Sequence, residues 1–177
     1  AHNRPFVILL IAYTVSAIGN NLPATLILFY VEYVLKSPLA DMFLMLYFVT
    51  GIIFLPGWIL VSRRTGKKAA WLASMVINTG AFVGVFFLGP GDAAIYGFLV
   101  FLSGIGFGAT LAIPSAIQAD VIDYDELLTG ERREGEYIGL WSISKKFAAA
   151  VGIGAGLSVL GLAGYTPNAE QPAAVQT

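Results

Sequence analysis

The chain has 177 residues, of which 57% are hydrophobic and only 12% are charged. Soluble domains carry about 25% charged residues, so a water-exposed globule of this composition would lack much of its polar surface. The absence of Cys and a net charge of −1 argue against a disulfide scaffold and against a nucleic-acid-binding surface. With a mean hydropathy of +0.77, the composition indicates an integral membrane protein.

Long stretches without charged side chains alternate with short polar stretches along the chain. Each apolar stretch reaches the ~20 residues that a helix needs to cross a ~30 Å hydrocarbon layer. Turn-forming residues and charges separate these stretches, as expected at the edges of a membrane. We therefore predict an all-α, polytopic membrane protein with about five transmembrane helices, near residues 5–31, 39–61, 69–89, 93–118 and 137–163.

The basic residues indicate the orientation of the predicted helices. If the chain changes sides at each helix, seven of its ten Lys and Arg residues fall on one side, and only Lys36 falls on the other. Cytoplasmic loops are enriched in Lys and Arg. We therefore expect the N-terminus, the basic loop at 62–68 and the charged segment at 120–136 in the cytoplasm, with the tail after Gly164 outside.

Two lysines interrupt the fifth predicted helix. Lys146 lies about 13 Å from Tyr137 along a helix that rises ~1.5 Å per residue, which brings it towards the middle of a ~30 Å hydrocarbon core. A cation at that depth is costly unless it faces a polar cavity or a carboxylate partner. The alternative is that the helix starts later and that Lys145 and Lys146 both extend to the cytoplasmic headgroups.

Trp141 and Ser142 lie about one turn before the lysines. Ser142 shares a helical face with Lys146, because the two residues are four positions apart. An indole, a hydroxyl and an ammonium group together suit a sugar-like ligand, which stacks its C–H face on a ring and hydrogen-bonds through its hydroxyls. The alternative for Trp141 is a place in the aromatic belt at the membrane surface, and the sequence favours neither.

The segment 120–136 concentrates carboxylates and arginines and contains no His or Cys, so it is a poor site for transition metals. Its candidate ion-pairing residues are Asp120, Asp123, Glu126, Arg132 and Glu134. The first three recur every three residues and therefore share one face of a helix. The ordinary interpretation is a solvated surface. In a membrane bundle the same charges also suit ion pairs that form in one conformation and break in another.

Glycines recur at every second position in the fourth and fifth predicted helices, at Gly104, Gly106 and Gly108 and at Gly152, Gly154 and Gly156. Nucleotide-binding glycine loops follow a strand, whereas these glycines lie within apolar helical runs. We therefore interpret them as sites of close helix packing.

Three short motifs resemble the signature of one transporter family. They are ADVIDYDE at 119–126, TGERREG at 129–135, and GLWS at 139–142 followed by Lys146. Together they resemble the glycoside–pentoside–hexuronide:cation symporters of the major facilitator superfamily. The similarity spans essentially the whole chain.

The resemblance implies a secondary active transporter of the cell (cytoplasmic or inner) membrane that moves a sugar together with Na⁺ or H⁺ by alternating access. It implies that the chain is most of the C-terminal six-helix half, without the last helix and without the N-terminal half. The coupling cation would be bound mainly by that missing N-terminal half. No enzyme activity, prosthetic cofactor or nucleic-acid partner is implied; the expected partners are the sugar, the cation, the bilayer and the missing segments.

The resemblance also implies roles for individual residues. Lys146 matches a family lysine near the sugar and cation sites, and Trp141 and Ser142 match positions on the sugar-facing side of the same helix. The set Asp120, Asp123, Glu126, Arg132 and Glu134 would join cytoplasmic ion pairs that hold the two halves together in the outward-open state. Because Arg133 follows Arg132 directly, the sequence leaves open which arginine makes the pair.

The sequence leaves two other functions open. One is a sodium-coupled transporter of lysolipids or other amphiphiles on the same fold. The other is a membrane protein that does not transport, such as an enzyme or a channel. That function would call for a nucleophile–base pair, a metal cluster or a polar pore-lining stripe, and we recognise none in the sequence.

Overall fold

The computed structural model describes residues 3–165. Within this range it contains five α-helices that are long and apolar enough to cross a membrane. The helices are α1 (Arg4–Phe29, continued by a π-helical turn at Tyr30–Val34), α2 (Ala40–Thr65), α3 (Lys67–Val85), α4 (Ala93–Thr129) and α5 (Glu134–Leu162). The all-α fold and the number of membrane helices predicted from the sequence are thus confirmed. The predicted outer tail beyond Tyr165 lies outside the described residues.

The helix α4 is longer than the sequence predicted. It continues past residue 118 to Thr129, so its 37 residues measure about 55 Å, well beyond a ~30 Å hydrocarbon core. The charges that begin after residue 118 therefore do not mark the end of the helix. Gly130 ends the helix, because its φ of +70° is a left-handed conformation that glycine adopts without strain.

The chain forms two compact units. Within the described range, the first contains residues 3–33 and 118–165, and the second contains Val34–Ile117. In the first unit α1 and α5 run parallel, since Phe6 contacts Tyr137 near the start of both helices and Thr25 contacts Gly156 near their ends.

In the second unit α2 and α3 are joined by a single residue, Gly66, whose φ of +88° allows the sharp reversal. The first part of α4 packs on both helices through its glycines. A Cβ at Gly108 would lie 2.5 Å from the carbonyl oxygen of Gly51, and one at Gly106 would lie 2.9 Å from that of Ser74. The interpretation of these glycines as sites of close packing is therefore confirmed in α4.

Candidate functional site

The residues of α5 divide between a face that packs in the first unit and a face that does not. The buried positions follow helical spacing: Tyr137, Trp141, Ala148, Gly152, Gly156 and Leu160. Ser142 and Lys146 are exposed. This division decides which predicted site residues are available to a ligand.

Trp141 lies on the packed face of α5. Its ring stacks on Tyr13 of α1, with ring centroids 4.0 Å apart and planes inclined by 25°. Only 9% of Trp141 is exposed, so the face of the indole that meets Tyr13 is occupied by protein. The structure therefore does not bring Trp141 together with Ser142 and Lys146, and its role as a sugar platform stays a prediction.

Ser142 and Lys146 share the exposed face, as their spacing predicted. The Ser142 hydroxyl donates a hydrogen bond to the carbonyl oxygen of Ile138, 2.9 Å away in its own helix. The Lys146 ammonium makes no hydrogen bond or ion pair within residues 3–165. Because α5 begins at Glu134, Lys146 lies about 18 Å along a helix of about 44 Å, close to its midpoint.

The charged segment contains one ion pair with a buried carboxylate, which involves residues outside the predicted set. One guanidinium nitrogen of Arg133, Nη2, donates to both oxygens of Asp125, at 3.1 and 2.9 Å. Asp125 is only 4% exposed. Hydrogen bonding to this carboxylate raises the pKa of Arg133 above its ordinary value.

The predicted ion-pairing residues lie at the surface of the first unit. Arg132 Nε is 3.4 Å from Glu126 Oε1, and Arg132 Nη2 is 3.6 Å from Glu134 Oε1. Asp120 and Asp123 are exposed on α4. The two arginines thus differ: Arg133 makes short contacts to the buried Asp125 and a longer one of 3.7 Å to Glu131, whereas Arg132 makes only longer contacts to exposed carboxylates. The gating role of the exposed set stays a prediction.

Asn3 connects three helix ends near these charges. Its Oδ1 accepts a hydrogen bond from the Phe6 backbone N–H and so caps α1. Its Nδ2 donates to the Val121 carbonyl oxygen of α4 at 3.0 Å and to the Tyr137 hydroxyl of α5 at 3.4 Å. The start of α1, the end of α4 and the start of α5 therefore meet, as expected if the N-terminus and the segment 120–136 face the same side.

Asn3 and Asp125 were absent from the predicted set of ion-pairing residues, and Arg133 appeared there only as the alternative to Arg132. For Asp125 the sequence does contain a signal, because it lies four residues after the apolar Val121 and so shares its packed face. Asn3 shows no comparable signal, since its partners are more than a hundred residues away in the chain.

No group of three or more His, Cys, Asp or Glu residues within the described part of the chain is arranged to hold a metal ion. Of the charged residues of the segment 120–136, Arg132 and Arg133 instead pair with carboxylates of the same segment. For the coupling cation, the expected location in the missing N-terminal half stays a prediction.

The family model for MFS/sugar transport proteins matches residues 1–177. The chain belongs to this family. Members of the family are transporters, and the relatives described next carry the names of carriers, symporters and importers, which supports the prediction that the chain is not an enzyme. The family resemblance found in the sequence motifs is confirmed at this level, together with a multi-pass membrane protein.

Three relatives show how much of a family member this chain represents. The glucuronide carrier protein homolog of Escherichia coli (strain K12) is 30% identical over 96% of this chain, which covers 37% of that protein. The uncharacterized symporter YjmB of Bacillus subtilis (strain 168) is 27% identical over 97% of this chain, which again covers 37% of the relative. A candidate sulfoquinovose importer of Escherichia coli (strain K12) is 30% identical over 96% of this chain, and this chain covers 36% of that protein.

The chain thus spans somewhat more than a third of the length of the curated relatives that it matches. No solved structure matches the chain significantly. Family membership therefore rests on the sequence, and the helices of the first unit supply the geometry of the candidate site.

Proposed function

We propose that this chain is part of the C-terminal half of a secondary active transporter that couples the movement of a sugar to that of Na⁺ or H⁺. Membership of the MFS/sugar transport family supports transport of a sugar-type substrate. The similarity to a protein named as a symporter supports movement of the substrate and a coupled ion in the same direction. Alternating access would arise from rocking of this half against the missing N-terminal half.

The observation that carries the proposal is the position of Lys146. Its ammonium lies close to the midpoint of a helix long enough to cross a membrane, on a face that does not pack against α1. From the centre of such a helix the side chain is too short to reach either surface, so the charge needs a polar cavity or a carboxylate partner. A binding site between two transporter halves supplies both.

The substrate that fits an ammonium at this position is a sugar with an acidic group. Two of the relatives are named for a glucuronide and for sulfoquinovose. A glucuronide bears a carboxylate and sulfoquinovose a sulfonate, and either anion suits a lysine as a counter-ion. We infer a hexuronide or a similar acidic sugar as the substrate class, with Lys146 as its partner and Ser142 as a hydrogen-bonding neighbour.

Coupling follows if Lys146 and the cation share one carboxylate. In the absence of cation the ammonium would pair with a carboxylate of the missing half, and a bound Na⁺ or H⁺ would release it for the substrate. Cation and sugar would then each favour the same arrangement of the site, with a coupling free energy of about 1–3 kcal/mol.

The exposed charges of the segment 120–136 suit ion pairs with the missing half at the cytoplasmic surface. Arg132, Glu126 and Glu134 are solvent-accessible, so they are available to partners that come and go. With the N-terminus and this segment in the cytoplasm of the cell (inner) membrane, the basic residues obey the positive-inside rule. A lysolipid transporter on the same fold is less favoured, because two of the relatives described above are named for sugars.

The test is uptake of radiolabelled glucuronides and neutral glycosides into vesicles that contain the intact transporter, with and without a Na⁺ or H⁺ gradient. We expect gradient-dependent accumulation, with the acidic sugars preferred. Lys146→Ala should lower gradient-driven accumulation about 5–150-fold, the range that corresponds to the coupling free energy.

The matched control is Lys145→Ala, because the neighbouring side chain points about 100° away around the helix. It should change accumulation less than threefold, and both variants should insert into the membrane as well as the unmodified protein. Gradient-driven accumulation that is unchanged in Lys146→Ala would remove this residue from the mechanism.

A further inference from the structure

The connection between α4 and α5 is closed by an ion pair that the proposed transport mechanism does not use. Arg133 is the residue immediately before α5, and Asp125 lies one turn before the end of α4. Their contact spans the loop at 130–133, with Asp125 almost fully buried. Arg132 points elsewhere, to exposed carboxylates at 3.4 and 3.6 Å.

Arg133 is the first contact in a series along one face of α5. Tyr137 and Trp141 follow it at intervals of four residues, so all three share a face. Tyr137 packs edge-to-face on Phe6 with ring centroids 4.5 Å apart, and Trp141 stacks on Tyr13. The series fixes both where α5 begins and how it is rotated about its own axis.

The rotation of α5 decides where Lys146 points. At 100° per residue, Lys146 lies about 140° around the helix from Trp141, so it points away from α1 whenever Trp141 packs on Tyr13. If α5 turned about its own axis by the angle between successive residues, about 100°, the ammonium would turn with it towards a neighbouring helix. The contacts at the start of α5 therefore determine the direction of the Lys146 side chain, although none of them involves Lys146.

We propose that Arg133 and Asp125 form a positioning pair, which holds the α4–α5 loop closed and keeps α5 in the rotation that presents Ser142 and Lys146 to the transport site. The proposal rests on the proposed function for its consequence in transport. Neither residue touches substrate or cation; both act through the orientation of α5.

The difference in burial separates this pair from the exposed charges. Removal of Arg133 would leave the Asp125 carboxylate, which is only 4% exposed, without its charged partner, and removal of the Asp125 charge would take from Arg133 its two short hydrogen bonds. Either change destabilises this contact. Exposed pairs such as those of Arg132 contribute little, because solvent replaces the lost partner. Asp125 and Arg133 should therefore be sensitive to substitution in a way that the surrounding charges are not.

The first experiment measures closure of the loop directly, by limited trypsin digestion of the intact transporter in detergent. Trypsin cleaves after Lys and Arg, and Arg132 presents a side chain that is 75% exposed within the loop. Asp125→Asn leaves every trypsin site in place, and so does the control Asp123→Asn, which changes an exposed carboxylate of the same helix. We expect cleavage after Arg132 to be at least tenfold faster in Asp125→Asn and within twofold of the unmodified rate in Asp123→Asn.

The second experiment measures the consequence for transport in proteoliposomes, as the half-saturating cation concentration for sugar uptake. We expect this concentration to rise at least tenfold in Asp125→Asn. In Glu136→Gln, a variant of an exposed carboxylate in the first turn of α5, it should stay within twofold. A purely structural role would reduce the amount of folded transporter without changing the half-saturating concentration. Asp125→Glu, which keeps the charge, should be intermediate in both experiments and replaces Asp125→Asn if the latter does not fold.

Each outcome decides a different point. Faster cleavage together with a raised half-saturating concentration supports the positioning pair. Faster cleavage with an unchanged half-saturating concentration shows that the pair only closes the loop, and unchanged cleavage overturns the pair altogether. If the unmodified transporter shows no cation-dependent uptake, the proposed function fails and the role in transport falls with it, while the trypsin rates still show whether the pair closes the loop.

Discussion

Two regions of the α1–α5 pair are held together by different kinds of contact. One is the ring end, where both helices begin, and the other is the glycine end around Gly152 and Gly156, which lies before the rings of Phe29 and Tyr165. At the end where both helices begin, aromatic rings fill the space between them, with Phe6 against Tyr137 and Tyr13 against Trp141. Towards the other end the backbones approach closely, and a Cβ placed on Gly152 would lie 2.7 Å from the Cβ of Asn21. Large side chains thus give way to glycine along a single helix pair.

This difference shows which part of the contact between α1 and α5 can be adjusted. Lipid tails are as apolar as the side chains, so helices in a membrane gain little from burial and depend on close packing and on specific polar contacts. At Gly152 and Gly156 α5 contributes no side chain to the contact, whereas the ring end is tied by hydrogen bonds and an ion pair. Lys146 lies between Trp141 and Gly152, where one kind of contact replaces the other.

The largest expected effect at the ring end comes from Trp141. Trp141→Ala should lower the free energy of unfolding by about 2–3 kcal/mol, which is less than the ~3–5 kcal/mol typical of water-soluble cores because lipid replaces part of the lost contact. Trp141→Phe, which keeps a ring against Tyr13, should lose about 1 kcal/mol. The measurement is unfolding of the intact transporter in mixed micelles with increasing SDS.

Sugar affinity separates the two interpretations of Trp141. If the indole serves only the contact with Tyr13, Trp141→Phe should bind substrate within about threefold of the unmodified protein, while stability alone declines. A loss of affinity in Trp141→Phe that greatly exceeds the loss of stability would return Trp141 to the sugar site and contradict the division of α5 into a packed and an exposed face.

At the glycine end we expect a smaller but position-specific effect. Gly152→Ala should lower the free energy of unfolding by about 1–3 kcal/mol, because its methyl group meets the Asn21 side chain and the Ile18 carbonyl oxygen, which would be only 2.9 Å away. The same SDS titration provides the measurement.

Gly154→Ala is the matched control, since no atom lies within 4 Å of a Cβ at that position. Its stability should be unchanged or higher by up to about 1 kcal/mol, because Ala favours the helix over Gly. Equal losses for Gly152 and Gly154 would mean that helix propensity, and not close approach, explains these glycines.

The sequence predicted the helices well and the polar contacts poorly, for a physical reason. Length and hydropathy suffice to predict membrane-spanning helices, so all five helices were predicted from the sequence. The errors lie mainly at the helix ends, as in the continuation of α4 to Thr129. Hydrogen-bond partners depend on how helices are rotated against one another, which periodicity does not specify. Asp125 therefore looked like one charge in an acidic run, although it is buried and Asp123 is exposed.

At the candidate site, Trp141 and Ser142 show the same limit of prediction from the sequence. They are adjacent in sequence, and together with Lys146 they suggested a single sugar-binding group. Neighbouring residues on a helix point about 100° apart, so a contact that buries Trp141 directs Ser142 to the other face. The i, i+4 relation of Ser142 and Lys146 was predictable, whereas the partner of Trp141 required the position of Tyr13.

The smallest expected effect lies at the tip of the ring end, at Asn3. Asn3→Ala removes both the cap of α1 and the hydrogen bonds to α4 and α5, and should cost about 1–2 kcal/mol of stability. Asn3→Asp keeps an oxygen that can cap the helix, but it loses the N–H donor to Val121 and places a carboxylate at a site that is only 6% exposed, so we expect it to be about as destabilising as Asn3→Ala. If Asn3→Asp instead restores full stability in the SDS titration, Asn3 acts only within α1, and the ring end is held by its rings and by the Arg133–Asp125 pair alone.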